Sequence, residues 1–199
     1  MILLDHEVLA RQAGTMETTL RLEVTPENRR SILSWVVRIL WPALELHLRK
    51  EEKVLFPEVR RLMGEKAGVV TIMEEQHLEL RRAYRHVAEL VQEEGRPDWS
   101  VIQFSAEAFI DALEDHGKKT QQLVLDPLKR HLKGKELRNL SEKMQEEVRK
   151  AHEEEGWPTT FLVGEEHQRE SDAVDEAGKI AAEGKKAAGS RKETSWIWE

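Results

Sequence analysis

The sequence predicts an all-α protein, an up-down-up-down four-helix bundle with an extra C-terminal helix and a flexible tail. Three observations carry this. The composition is that of a helix former, with 35% charged residues, 39% apolar residues, one Tyr and four Phe. Apolar residues recur at helical spacing along four long segments. The breaks between those segments are short and carry helix start and stop signals.

The first helix runs from Ile2 to about Val24. "TPEN" at 25 to 28 then supplies an N-cap in Thr25 and a first-turn proline in Pro26. The second helix reaches Met63 and Gly64 closes it; Pro42 and Pro57 lie inside, each removing a backbone hydrogen bond and favouring a kink. A third helix spans about Lys66 to Glu94 and stops at "GRP", Gly95 to Pro97. The fourth starts at the cap residue Asp98 and continues to Gly134, with Pro127 as a late irregularity. A fifth segment, ended by "GWP" at 156 to 158, places Leu137, Leu140, Met144 and Val148 on one stripe against the bundle or a partner. The predicted organisation is therefore a bundle over 1–133, an additional helix over 134–155 and a weakly structured or disordered tail over 156–199. The tail ends in the apolar "SWIWE".

A net charge of −7 argues against nucleic acid as a partner, since phosphate binding concentrates positive charge. With no cysteine, thiolate metal sites, disulfides and cysteine nucleophiles are excluded, so any metal must sit on His, Asp or Glu. No run of about 18 uncharged apolar residues is present, and neither a membrane span nor a secretion signal is expected. A cytoplasmic location follows as the expectation. The serines and Tyr84 have no spacing relation to a His and Asp set, and the glycines form no phosphate-cradling loop. Tyr84, Trp35 and Trp41 are core candidates.

An internal repeat points to the site. "HLRKEEKVLFPEVRRLM" in the second helix matches "HGKKTQQLVLDPLKRHL" in the fourth; the V-L-x-P segments are offset by 70 and the histidines, His47 and His116, by 69. "LLDHEVL" at 3 to 9 and "EEQHLEL" at 74 to 80 add His6 and His77, one histidine per helix. Residues equally far from a connecting turn share a level in antiparallel helices. His77 lies 18 before Gly95 and His116 18 after Asp98, while His6 lies 18 before Val24 and His47 18 after Arg29. Each is about 27 Å from its turn. Between the second and third helices the counts differ, 17 residues from His47 to Gly64 and 13 from there to His77, a mismatch of about 6 Å that tilt and loop residues can absorb. Glu51, four residues after His47, shares its face. Imidazole nitrogen and carboxylate oxygen suit iron, manganese, zinc or copper, and a bridging carboxylate holds two cations together. His86, His131, His152 and His167 lack such partners.

At "LLDHE", "HLRKEEKVLFP", "EEQHLELR" and "HGKKTQQLVLDP" the chain resembles the hemerythrin-like (HHE cation-binding) family over roughly residues 1 to 133. The resemblance implies a four-helix bundle holding a non-haem di-iron centre. It also implies a role in binding or sensing oxygen, sensing iron, or handling nitric oxide or peroxide. His6, His47, Glu51, His77 and His116 would be the ligands, with Glu51 bridging. Two departures weaken the expectation of reversible oxygen carriage. Where oxygen-binding hemerythrins carry a second His on the third helix, four residues from His77, this chain has Met73 and Arg81. Where they carry a bridging Asp five residues after the fourth-helix His, it has Gln121; relatives with Glu four after that His correspond to Thr120. Gln121 and Glu74, the latter three before His77 in the Glu-x-x-His pattern of ferritin-like bundles, complete the candidate ligand set. Two other readings stand beside this one: a metal-dependent, peroxide-consuming enzyme on the same ligands, and a helical scaffold with a degenerate site that binds a protein partner through its C-terminal helix and tail.

Overall fold

The breaks between helices form where the sequence carries their chemistry. In the computed structural model, which describes residues 2–64, 68–93, 95 and 97–157, α1 (Ile2–Arg21) is followed by α2 (Pro26–Lys50). Thr25 caps α2, its Oγ1 accepting from Asn28 N at 3.3 Å. Gly64, at φ 92°, ends α3 (Phe56–Met63). After α4 (Gly68–Gln92), Asp98 caps α5 (Trp99–Lys119) by accepting from the Ser100 and Val101 amides. Then come α6 (Asp126–His131) and α7 (Gly134–Glu155).

α1 packs on α2 and α5, and α4 on the same two, so the four long helices close a ring. This is the all-α bundle expected. The described residues lie in the first of the two units into which the chain divides, Met1–Thr159. The predicted tail, apart from Gly156 and Trp157, lies outside the described residues.

The helices carrying His47 and His116 each contain a π-helical turn, Glu51–Leu55 and Thr120–Leu125. The repeated V-L-x-P motif explains both. A proline ring in a helix clashes with the carbonyl four residues back, here that of Lys53 or Leu123. The chain avoids the clash by widening one turn. Phe56 N therefore donates to Glu51 O and Asp126 N to Gln121 O, five residues back in each case. The kink expected at Pro57 thus takes the form of a π turn, whereas Pro42 is accommodated inside α2.

Val54, Leu55, Val124 and Leu125 from the two π turns join Ile2, Val70, Met73, Leu140 and Met144 in one apolar cluster. α7 covers the first π turn through Leu140, Met144 and Val148, all buried; Leu137, first on the stripe, is 39% exposed. Arg49 adds ion pairs to Glu147, Glu154 and Glu155 at 2.9 to 3.2 Å. Each buried apolar side chain is worth about 1.5–3 kcal/mol against about 0–1 kcal/mol for an exposed ion pair, so the stripe dominates the docking of α7.

Two expectations need correction. Trp35 is 53% exposed, because Leu33, Val36, Val37 and Leu40 occupy the core face of α2. Trp41 is half-buried against Tyr84, ring centres 4.8 Å apart. The fourth bundle helix also stops at His131, since Leu132 turns extended and buries itself in the cluster before α7 begins. Tyr84 is buried as expected, its hydroxyl donating to Val37 O at 2.7 Å. The stretch Pro26–Met63 is long and apolar enough to cross a membrane by composition, but half of its most apolar window is buried inside the bundle.

Candidate metal centre

Four helices deliver five side chains to one level. His6 comes from α1, His47 from α2, His77 from α4 and His116 from α5, while Glu51 opens the first π turn. His47, Glu51, His77 and His116 are completely buried, and the His6 side chain is 16% exposed. His47 Nε2 lies 3.1 Å from His6 Nε2 and 3.2 Å from His116 Nε2. Glu51 divides the imidazoles into pairs. Its Oε1 faces His47 Nε2 at 3.5 Å and His6 Nε2 at 3.8 Å, and its Oε2 faces His77 Nε2 at 3.0 Å and His116 Nε2 at 3.4 Å.

Such convergence is costly without a cation. Glu51 Oε1 is buried with no hydrogen-bond partner, and a buried, unsatisfied charged group carries a large desolvation penalty. Donor atoms on a four-coordinate ion with bonds of about 2.1 Å sit about 3.4 Å apart. The ligand atoms of His6, His47, Glu51 and His116 all lie within 4.8 Å of one another, and their closest separations bracket that value. The residues fit a divalent cation.

The protonation states agree. Burial, with His47 as neighbour, lowers the His6 pKa to about 3. Burial likewise lowers that of His116. Burial opposes ionisation of Glu51, but the surrounding imidazoles outweigh it and hold the carboxyl well below its usual range. His6 and His116, disfavoured as cations beside a carboxylate held ionised, are in the state a metal ion requires of its ligands. His77 differs: burial works against its charge, yet hydrogen bonds to Glu51 and Glu52 raise its pKa.

Sequence reasoning missed the groups behind the imidazoles. His77 Nδ1 donates to Glu52 Oε1 at 2.8 Å. Glu52 accepts in turn from Arg81 Nη1 at 2.8 Å, and Arg81 is clamped by both oxygens of Glu45 at 2.7 Å. Behind His47 stands Asp5, its Oδ2 3.7 Å from Nδ1 and 2.7 Å from Nζ of the buried Lys50. Glu52 fixes the His77 imidazole with its Nδ1 proton outward and its Nε2 lone pair inward, whereas Asp5 accepts from Lys50 and leaves the buried His47 Nδ1 without a hydrogen-bond partner. The only signal was adjacency: Asp5 precedes His6 and Glu52 follows Glu51. Nothing in "RKEEK" marks Lys50 as buried.

Two candidate ligands are engaged elsewhere. Glu74, 43% exposed, accepts from Arg60 Nη2 at 2.8 Å and does not join the converging set. Gln121 donates its amide to Asp126 Oδ1. Thr120 instead occupies the place equivalent to Glu51, four residues after its histidine, fully buried with Oγ1 3.5 Å from His116 Nε2. Of the remaining histidines, His131 and His152 bond to the carbonyls of Pro127 and Trp157.

The fold and the site are those of a helical bundle protein with a histidine-and-carboxylate cluster of the kind that could hold a metal ion. The sequence matches the family described as hemerythrin HHE cation binding domain over residues 1–128, and the chain belongs to that family. No curated protein and no solved structure matches it.

Proposed function

We propose that the chain is a hemerythrin-like, non-haem di-iron protein that binds, senses or scavenges oxygen, nitric oxide or peroxide. The observation that carries this reading is the division of the imidazoles by Glu51, two to each carboxylate oxygen, the disposition a bridging carboxylate needs to hold two ions. His6, His47 and Glu51 Oε1 would hold one iron, and His77, His116 and Glu51 Oε2 the other. Iron so bound supplies a redox-active Lewis acid open to a small molecule. The chain's own residues bury His47, Glu51, His77 and His116, set the His77 tautomer through Glu52, and leave His6 as the partly exposed member.

One observation favours a second reading. His6, His47, Glu51 and His116 form a single four-donor set, which suits one four-coordinate ion, with zinc as well as iron allowed by the chemistry. Elemental analysis after growth with iron, paired with visible spectra before and after admitting air, separates the two. About two irons per chain and an oxygen-dependent band support the di-iron reading. One colourless metal per chain supports the other, and no metal with the helices intact overturns both.

A further inference from the structure

Between α1 and α5 runs a groove of ≈ 270 Å³ walled by Leu9, Ala13, Ile110, Leu113 and Gly117, with the His6 ring at its inner end. We propose that this groove is the access route and holding site for a small, uncharged, apolar molecule of diatomic size, and that Gly117 keeps it open onto His6. The inference rests on the metal-centre reading above and adds to it the route and the residue that keeps that route open.

Four observations converge. The groove reaches the one imidazole of the cluster with exposed surface, at 16%, while His47, His77 and His116 are sealed. Its wall is aliphatic, so a ligand with strong hydrogen bonds to water would lose them on entering, whereas an apolar one loses nothing. Its volume exceeds the roughly 150 Å³ of an apolar cavity known to take up xenon or benzene. Gly117, finally, stands inside a helix, where glycine is disfavoured relative to alanine.

Close packing does not require that glycine, because a Cβ there would meet the His6 ring at 3.7 Å, ordinary contact. What its absence provides is open space over the ring. At the mouth Lys118 and Glu114, 70% and 59% exposed, form a water-facing ion pair that leaves the inner wall apolar.

Xenon tests the groove without any metal. Under xenon pressure the methyl resonances of Leu9, Ile110 and Leu113 are expected to shift in the metal-free and metal-loaded protein alike. Gly117→Leu should abolish those shifts, and Gly117→Ala, which the contact distance accommodates and helix propensity favours, should reduce them. In the iron(II)-loaded protein, Gly117→Leu should slow association of nitric oxide at least tenfold at unchanged iron content. If Gly117→Leu does not fold, Ala13→Leu from the opposite wall takes its place in both measurements. Unmoved methyls in the wild type, or an association rate indifferent to these substitutions, would overturn the proposal. A chain that takes up no iron would show in elemental analysis, and would overturn the metal-centre reading and the route with it whatever the xenon shifts.

Discussion

His77 Nδ1 donates to Glu52 Oε1 at 2.8 Å, and that carboxylate accepts at the same distance from Arg81. Burial opposes ionisation of Glu52, but its hydrogen bonds to His77 and Arg81 hold its pKa at about 2. It therefore remains an acceptor at any physiological pH and keeps the His77 proton on Nδ1. Glu52→Gln preserves shape but lets the amide donate as well as accept, which frees the ring to rotate. Metal affinity is expected to fall about 10–100-fold with the helical content unchanged, read by competition with a chromophoric chelator. Asp5→Asn, acting on His47, should do the same by a smaller factor, because its contact is 3.7 Å. Affinity equal to wild type in both variants would remove these carboxylates from the account.

His47→Ala and His116→Ala each delete an Nε2 from the converging set, and each should abolish tight metal binding. His152→Ala should not, since that ring lies on α7 and bonds to Trp157 O at 2.7 Å. Equal metal content in all three variants would show that the cluster is not the binding site.

How the sequence foretold the cluster, and where it stopped, follows from helix geometry. Equal distances from the turns put His6 level with His47 and His77 level with His116. The residual mismatch across Gly64 has a structural meaning. Glu51 precedes Gly64 by thirteen residues and His77 follows it by thirteen, so His77 meets Glu51, one turn along from His47, at 3.0 Å. The π turns were less legible, since they require knowing that Pro57 and Pro127 would be accommodated by widening the helix rather than by bending it. The repeat's extra residue lengthens the second π turn by one, so that Thr120, four after His116, answers to Glu51. The roles of Asp5, Glu52 and Lys50 depend on side-chain reach between helices, which spacing along one helix does not encode. Trp35 fell outside the core because the α2 stripe was already filled by smaller aliphatic residues.

Thr120 offers a reversal of sign. Thr120→Asp is similar in volume and places a second carboxylate against His116. In the metal-free protein it adds a buried charge beside Glu51 and should lower the stability by roughly 1–3 kcal/mol. With metal present it supplies the negative charge that two cations otherwise lack, so stability and metal stoichiometry should both rise. Thr120→Asn, of the same shape and neutral, separates charge from packing. Calorimetry with and without metal reads the crossover; an Asp variant that is less stable under both conditions would contradict it.

Acid should begin to destabilise the metal-free bundle before ordinary carboxylate titration begins. His6 has a folded pKa of about 3 against an ordinary 6.5, set by burial and by His47. Below 6.5 the unfolded chain takes up a proton that the folded chain refuses, so stability falls as pH drops from 6.5 towards 3. The slope from this one group is about 1.4 kcal/mol per pH unit. Glu52, lowered from 4.5 to about 2 despite the opposing effect of burial, acts in the same direction: its stabilisation is complete above 4.5 and is lost as pH falls through 2. His77, raised by its two carboxylates against burial, has the opposite sign; its contribution is complete below 6.5 and is lost as pH rises through its folded value. Urea unfolding of the metal-free protein at intervals from pH 8 to 4 should show stability declining from near 6.5 downward. His6→Gln should flatten that decline, because it removes the refused proton, while leaving the Glu52 loss at lower pH in place. A decline that begins only below 4.5, or that His6→Gln leaves unaltered, would mean His6 is not held neutral by burial among the other imidazoles.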